Sequence, residues 1–177
     1  MKPVSKQTDA PCDRATGRKE ADQLSICEAV SHSDFELARE LFIEYSQSLG
    51  FSLCFQNFDL ELAGLPGKYA PPKGRLLLAT CDRQIAGCVA LRPLEEGVCE
   101  MKRLYLRPQF RGKGLGRVLA ERIIQEAVGI GYRLMRLDTV EPMMKDAVAL
   151  YRRLGFIEIA PYCDNPTEGT LYMEKQL

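Results

Sequence analysis

The chain has 177 residues, which is enough for one domain with a buried core and too few to expect two. Lysine and arginine together number 24, as do aspartate and glutamate, so no net charge favours a nucleic acid or an anionic membrane as partner. No apolar run approaches the length that spans a bilayer, and the polar first 23 residues lack the apolar centre of a signal peptide, so we expect a cytoplasmic protein.

The cysteine and histidine content argues against a metal site. The seven cysteines form no CxxC pair, and His32 is the single histidine, whereas tetrahedral metal sites need closely spaced Cys and His ligands. Cys81, Cys88 and Cys99 fall within apolar, strand-like runs, where a reduced cysteine behaves as a small hydrophobic residue. We therefore expect no bound metal and a reducing compartment.

The N-terminal region divides into a leader and the start of a domain. Residues 1–23 are polar and show no apolar period, so we expect a disordered leader and a single domain over 24–177. The first long helix opens with Ser33 and Glu36 at capping-box spacing and ends at Gly50. The predicted spans are 25–30 for a strand, and 33–50 and 57–63 for two helices.

Strand-like and helix-like patterns alternate along the remainder of the chain. A helix with a broad apolar stripe begins at Leu115 and is expected to end at Gly129 and Gly131. This helix joins the third and fourth strands of the region, and such a crossover makes them a parallel pair. A last helix is predicted from Pro142 to Gly155. The predicted strands are 75–80, 84–91, 97–106, 133–139, 156–160 and 169–175.

These elements predict a mixed sheet with helices on both faces, and the strand at 97–106 carries an irregularity. Its segment VCEMKRLYL places Glu100 and Lys102 on the same face as Leu104 and Leu106 if side chains alternate strictly. A bulge near Arg103 would resolve the conflict between these charged and apolar side chains.

The segment RPQFRGKGLG precedes the helix at Leu115 and has the composition of a phosphate-binding turn. Its glycines would let backbone N–H groups and the helix N-terminus approach a phosphate closely. The mononucleotide loop GxxxxGK[ST] fails because Gly114 follows Lys113, and the dinucleotide fingerprint GxGxxG fails because Arg117 occupies the third glycine position. The pattern that remains is RxxGxG, from Arg111 to Gly116, which on its spacing alone is also compatible with an ordinary surface turn.

Two blocks resemble the GNAT superfamily of acyl-CoA N-acyltransferases. RLYLRPQFRGKGLG is similar to the family's CoA-binding signature, and AVALYRRLGF at 147–156 is similar to its tyrosine-bearing helix. The resemblance covers roughly residues 25–177. It implies a mixed, mostly antiparallel sheet in which one parallel pair of strands splays apart to admit the pantetheine arm of CoA.

The resemblance implies an enzyme that transfers an acetyl group from acetyl-CoA to a primary amine by direct attack in a ternary complex. The alternative is a sensor module that binds acyl-CoA without catalysis, and a nucleic-acid-binding role for the basic cluster is more remote because net positive charge is lacking. The residues expected to bind the cofactor are Leu104, Tyr105, Leu106, Arg111, Gly112, Lys113, Gly114, Leu115, Gly116, Asp138 and Thr139.

Two residues are expected to carry the chemistry. Tyr151 matches the family tyrosine that faces the CoA sulfur, and a phenol remains protonated at neutral pH and can donate to the departing thiolate; a core tyrosine is the alternative. Glu100 lies eleven residues before Arg111, where several family members carry a catalytic glutamate. It is either a base or a partner of Lys102 or Arg103. Met144 departs from the family, which commonly has asparagine there to contact the cofactor.

The acceptor is predicted to be a small, amino-acid-like amine rather than a protein. Arg92 or Arg103 could grip a carboxylate bidentately. Tyr162 and Asn165 lie in a polar segment between the last two strands that could orient the amine, although such a segment is equally typical of a plain turn. We expect no metal, nucleic-acid or membrane partner, and a homodimer is left open.

Overall fold

A computed structural model of the chain describes residues 23–50, 53 and 57–177. The predicted leader, apart from its last residue, lies outside the described residues. None of the helices in the described part is long and apolar enough to cross a membrane. The fold class, a mixed sheet covered by helices on both faces, is confirmed.

Within the described residues, seven strands form one sheet in the order β1-β2-β3-β4-β5-β7-β6. Its pairs are antiparallel apart from β4 and β5, which run parallel as the crossover through α3 predicts. The strands are β1 Leu24–Glu28, β2 Arg75–Cys81, β3 Gln84–Glu95, β4 Val98–Leu106, β5 Leu134–Val140, β6 Ile157–Ile159 and β7 Thr170–Gln176. The helices are α1 His32–Ser48, α2 Phe58–Ala63, α3 Leu115–Ile130 and α4 Lys145–Arg153, with 3₁₀ turns at Gly67–Tyr69 and Pro108–Phe110.

Each face of the sheet carries its own hydrophobic core. Leu119 and Ile123 of α3, both fully buried, pack on one face together with Tyr151 of α4. Leu41 and Phe42 of α1, also fully buried, pack on the other face beside α2. Burial of such side chains on both faces is the main source of the fold's stability.

Strand β4 changes face at the predicted bulge. Arg103 has a left-handed backbone with φ of 57°, and the register with β3 shifts between Cys88 and Ala90, which lie opposite this region. Beyond the bulge, Leu104 packs against the α3 core, whereas Tyr105 packs in the α1 core. The bulge therefore moves the apolar end of β4 onto the α3 core and leaves the charged residues before it on the α1 side.

Pairing between β4 and β5 stops early. The last parallel partners are Glu100 and Arg136, although β4 continues to Leu106 and β5 to Val140. The carboxyl-terminal halves of these neighbouring strands are therefore not paired to each other. This is the splay that the family resemblance implied.

Two helix starts differ from the prediction. Helix α1 begins at His32, because Ser31 and not Ser33 is its N-cap: the Ser31 hydroxyl accepts from the Asp34 N–H at 3.2 Å, and the Asp34 carboxylate accepts from the Ser31 N–H at 2.9 Å. Glu36, the expected partner of Ser33, pairs with Arg39 instead. Helix α4 begins at Lys145 rather than at Pro142, because the Val140 carbonyl accepts from both Met143 and Met144 and forms a turn first.

Replacement of Ser31 by alanine should lower the free energy of unfolding by about 1 kcal/mol, because it removes the reciprocal cap of α1. Ser33→Ala serves as the matched control and should cost clearly less, since Ser33 caps no backbone N–H. Urea unfolding followed by circular dichroism measures both values. A larger loss for Ser33→Ala would contradict the observed cap.

Candidate active site at the splay between β4 and β5

The glycine turn before α3 is open and left-handed. Gly112 and Gly114 have φ of 77° and 80°, and a Cβ built on either meets no atom within 4 Å. Gly114 is the N-cap of α3 and supplies no side-chain cap. In the first helical turn the Arg117 N–H donates to the Gly114 carbonyl at 3.1 Å, which leaves the N–H groups of Leu115 and Gly116 for an external acceptor. The Leu115 side chain is buried in the core, so only its backbone can face a ligand. The turn therefore offers the bare backbone that the sequence predicts for the pyrophosphate of CoA.

The basic side chains around this turn are already engaged to different degrees. Arg107 forms a bidentate pair with Glu44, with its shortest distance 2.7 Å, and Arg117 pairs with Glu121 at 2.7 Å. Arg111 donates from Nε to the Leu106 carbonyl at 2.9 Å, and its guanidinium lies over the Tyr105 ring at 5.6 Å, but the residue is exposed beside the turn. Arg111 is thus better placed than Arg107 or Arg117 to meet a phosphate.

A groove of about 770 Å³ runs from the turn toward the splay. Leu104, Tyr105, Leu106 and Arg111 line one side of it, as the sequence analysis predicts for the pantetheine arm. The opposite side is formed by the end of α1 and by residues 142–147 at the start of α4. The groove therefore contains four of the residues that were predicted to bind the cofactor. Two others, Asp138 and Thr139, do not line the groove but lie farther inside the protein.

A small cavity of about 30 Å³ lies at the inner end of this groove. Groove and cavity have Tyr45, Leu104 and Met144 as common lining residues. Tyr151 and Thr139 also line the cavity. The cavity thus marks the point at which the groove reaches the predicted catalytic tyrosine.

Tyr151 is buried in the α3 core at this point. Its ring packs edge-on against Phe156 at a centroid distance of 5.8 Å, and the side chain is buried. Burial, together with the neighbouring Tyr45 and Asp138, raises the pKa of Tyr151, so the phenol remains protonated at neutral pH. A core position and a donor role are therefore compatible for this residue.

Met144 takes the place of the family's asparagine in an unexpected way. Its sulfur accepts from the Thr139 hydroxyl at 3.6 Å, which ties the start of α4 to β5. Thr139 is consequently engaged within the chain through its side chain. A cofactor contact at Thr139 would then use its backbone.

Glu100 lies in a buried polar cluster on the α1 side of β4. Its carboxylate accepts from Arg92 Nε at 2.6 Å and from the Tyr162 hydroxyl at 2.9 Å, and Lys102 Nζ lies 3.6 Å away. Only 1% of the side chain is exposed. Burial and the Glu100 carboxylate raise the pKa of Tyr162, so that hydroxyl remains protonated. The structure thus brings three of the predicted site residues together, and the hydrogen bonds to Glu100 come from Arg92 and Tyr162 rather than from Arg103.

A second ion pair crosses the splay. Lys102 Nζ of β4 lies 2.8 Å from Asp138 Oδ1 of β5, and Asn165 donates to the other carboxylate oxygen at 2.9 Å. Burial alone would raise the pKa of Asp138, but the Lys102 ammonium and the Asn165 amide outweigh it, and the pKa lies below its usual range. Asp138 is therefore an anion that joins the two strands where their backbone pairing has ended.

Arg103 does not have the freedom that a substrate-gripping residue needs. Its guanidinium forms a bidentate pair with Glu61 of α2, with distances of 2.9 and 2.6 Å, and lies over the Phe58 ring at 5.1 Å. Only 2% of the side chain is exposed. Glu61 also accepts from the Tyr69 hydroxyl at 2.7 Å. The predicted role of Arg103 as a carboxylate grip is therefore replaced by a structural one.

Sequence reasoning considered Lys102 only as a partner of Glu100, from which it lies 3.6 Å away, and it missed the pair of Lys102 with Asp138 and the pair of Arg103 with Glu61. The members of these two missed pairs are distant in the chain, so spacing could not reveal them. The signal that existed was charge on a strand: two adjacent cations in a segment that is otherwise apolar need buried carboxylates. The described residues contain no group of three or more His, Cys, Asp or Glu side chains arranged to hold a metal ion.

An open glycine turn, a splayed parallel pair of strands and a buried tyrosine where groove and splay meet are the features that the sequence analysis expects of a protein that binds an acyl thioester of CoA. The chain belongs to the acetyltransferase (GNAT) family, whose model matches residues 35–156. Over 156 residues it is 42% identical to an uncharacterized N-acetyltransferase of Schizosaccharomyces pombe, a match that covers 87% of this chain and 95% of that protein. The chain is thus an acetyl-CoA-dependent N-acetyltransferase.

Solved structures agree with this fold. An acetyltransferase of the GNAT family from Staphylococcus aureus superposes with a TM-score of 0.72 at 18% identity, over 87% of this chain and 99% of that one. An acetyltransferase from Salmonella typhimurium, solved with its cofactor acetyl-CoA, gives a TM-score of 0.65 at 20% identity, over 86% of this chain and 93% of that one. At these identities the likeness concerns the fold.

Gly114→Val should abolish CoA binding while the circular dichroism spectrum stays close to that of the parent. A β-branched residue at a φ of 80° strains the turn and places a side chain where the phosphate would meet bare backbone. Gly131→Val is the matched control, since Gly131 ends the same helix with φ of 102° and equally open surroundings. Titration calorimetry with CoA should show binding by the control only. Equal affinities would exclude the turn as the phosphate site.

Proposed function

We propose that this N-acetyltransferase moves the acetyl group of acetyl-CoA to a primary amine of a small, amino-acid-like molecule, by direct attack in a ternary complex. The observation that carries the proposal is the position of the small cavity. It lies at the inner end of the groove, beside Tyr151, and it borders the buried polar cluster around Lys102 and Asp138. The thioester would enter from the groove and the amine from the polar side.

The reaction needs a neutral amine, a donor for the oxyanion and a proton for the thiolate. The amine nitrogen attacks the thioester carbonyl carbon, and the carbonyl electron pair moves onto oxygen. Collapse of this species breaks the C–S bond, the sulfur takes a proton, and the nitrogen gives one up. Backbone N–H groups between Leu104 and Leu106 are our candidates for the oxyanion, because this part of β4 has lost its β5 partner.

We assign the proton of the departing thiolate to Tyr151. Tyr151→Phe should lower kcat by roughly 10²- to 10⁴-fold, with little change in acetyl-CoA affinity, because the lost hydrogen bond matters mainly in the transition state. Tyr45→Phe is the matched control, since Tyr45 lines the same cavity from α1. Steady-state assays of free thiol release give both values. A loss confined to Tyr45→Phe would transfer the donor role to that residue.

We assign the amine proton to Glu100, which would take it directly or through the Tyr162 hydroxyl that it holds at 2.9 Å. Glu100→Gln should then flatten the acidic limb of the kcat/KM profile for the amine. Two amines of different pKa separate this limb from the titration of the amine itself.

The same variant tests the structural alternative for Glu100. If the carboxylate only holds Arg92 and Lys102, Glu100→Gln will lower the melting temperature and leave the shape of the pH profile unchanged, because the buried Lys102 and the partly buried Arg92 lose a partner. Thermal unfolding by circular dichroism, run beside the kinetics, distinguishes the two outcomes.

One assay separates the proposal from the sensor alternative. The protein is incubated with acetyl-CoA and a panel of amines, and release of free CoA thiol is followed. Turnover with a small amine supports the proposed function. Tight CoA binding without turnover on any amine supports a sensor. If the protein neither binds CoA nor acetylates an amine, both the enzyme and the sensor are excluded.

A further inference from the structure

A second pocket lies on the α1 side of the sheet, beside the buried polar cluster. Its walls are α2, the 3₁₀ turn at Gly67–Tyr69 and the side chain of Arg92 from β3, and its volume is about 430 Å³. We call it the α2 pocket. Such a volume is ample for a small organic molecule.

Ion pairs connect the lining of the α2 pocket to the lining of the reaction cavity. Glu61 lines the pocket, and its partner Arg103 lines the cavity. Arg92 lines the pocket and bonds to Glu100, and Glu100 lies 3.6 Å from Lys102, which lines the cavity. A molecule held in the α2 pocket is therefore next to the groups that surround the cavity.

The carboxylate that lines this pocket, Glu61, already has hydrogen-bond partners within the protein. Glu61 accepts three hydrogen bonds, two from Arg103 and one from the Tyr69 hydroxyl. Burial by itself would raise the pKa of Glu61, but its bonds with Arg103 outweigh this and hold the pKa below its usual range. Glu61 is thus an anion whose charge is already balanced, and it offers little attraction to the ammonium group of a ligand.

The cations of the pocket are less completely satisfied. Arg92 donates to Glu100 through Nε, and this is its one hydrogen bond within the described residues, so its two terminal nitrogens keep their donors. Its side chain is 27% exposed, whereas that of Glu100 is 1% exposed. Lys68 lies at the rim and is exposed. The pocket therefore has positive charge to offer, on a guanidinium that Glu100 fixes in orientation.

We propose that the α2 pocket binds a carboxylate of the acceptor through the terminal nitrogens of Arg92, with Lys68 at the rim, so that the acceptor is an amine that carries a free carboxylate. A guanidinium presents parallel donors that match a carboxylate in two bonds. This inference rests on the proposed function, since it names the class of amine that the enzyme acetylates.

Matched acids and amides test the proposal in the whole protein. With CoA present, an N-acetyl amino acid should bind at least tenfold more tightly than its N-acetyl amino acid amide, measured by titration calorimetry, because the amide lacks the charge that Arg92 recognises. In turnover assays, the amino acid should exceed its amide in kcat/KM when both are expressed per neutral amine. Equal values for acids and amides in both assays overturn the proposal.

Variants locate the effect. Arg92→Lys keeps the charge beside Glu100 but loses the paired donors, and should remove most of the preference for acids; the melting temperature shows whether the Glu100 pair survives. Lys68→Ala should reduce the preference by about 2- to 5-fold, as for an exposed ion pair. Lys73→Ala, a change of the same charge outside the α2 pocket, should leave it intact. An unaltered preference in a folded Arg92→Lys variant overturns the assignment.

The two proposals fail in different ways. If the enzyme acetylates amides as fast as acids, the proposed acetyltransferase function stands and the proposed carboxylate site is wrong. If acids bind in preference to amides but no amine is acetylated, the carboxylate site stands and the proposed function is wrong. Absence of acid binding in the presence of CoA removes the site whatever the turnover.

Discussion

The bulge at Arg103 is the constraint on which the rest of the site depends. A strictly alternating β4 would place Lys102 on the same face as Leu104, and either a charge or a leucine would then face the wrong core. The left-handed Arg103 lets Lys102 and Arg103 both reach carboxylates on the α1 side, while Leu104 turns to the α3 core. One unusual backbone conformation thus separates the charged half of the strand from the apolar half.

Three cations on this side of the sheet each pair with a carboxylate: Arg92 with Glu100, Lys102 with Asp138 and Arg103 with Glu61. Burial of an ion is unfavourable unless a well-placed partner repays the lost hydration, and removal of one partner typically costs about 3–5 kcal/mol. The ion pairs also fix the positions of the elements that they connect. Lys102–Asp138 connects β4 to β5 where hydrogen bonding between their backbones has ended, and Arg103–Glu61 connects β4 to α2. Side chains therefore hold β4 in place against β5 and α2 where the backbone pairing has ended.

The sequence predicts local features well where one pattern has one solution. The bulge followed from charged and apolar residues that could not share a face, and the parallel pair followed from the handed crossover through α3. The predicted start of α1 was wrong. Ser31 and Ser33 are each followed three residues later by a carboxylate, so spacing alone cannot distinguish the two possible N-caps. Spacing could predict that Lys102 lies near Glu100 but not that Lys102 pairs with Asp138 and Arg103 with Glu61, since these partners lie 36 and 42 residues away in the chain.

The two faces of the sheet contribute different groups to the candidate site. The α3 side provides the phosphate turn and the buried Tyr151, and its surroundings are mostly apolar, which suits a neutral donor whose pKa is raised by burial. The α1 side provides the charged residues and the α2 pocket, which suits a polar acceptor. Only where β4 and β5 separate can groups from both faces approach one atom. A thioester carbonyl at that point would have an acid on one side and its nucleophile on the other, as direct transfer requires.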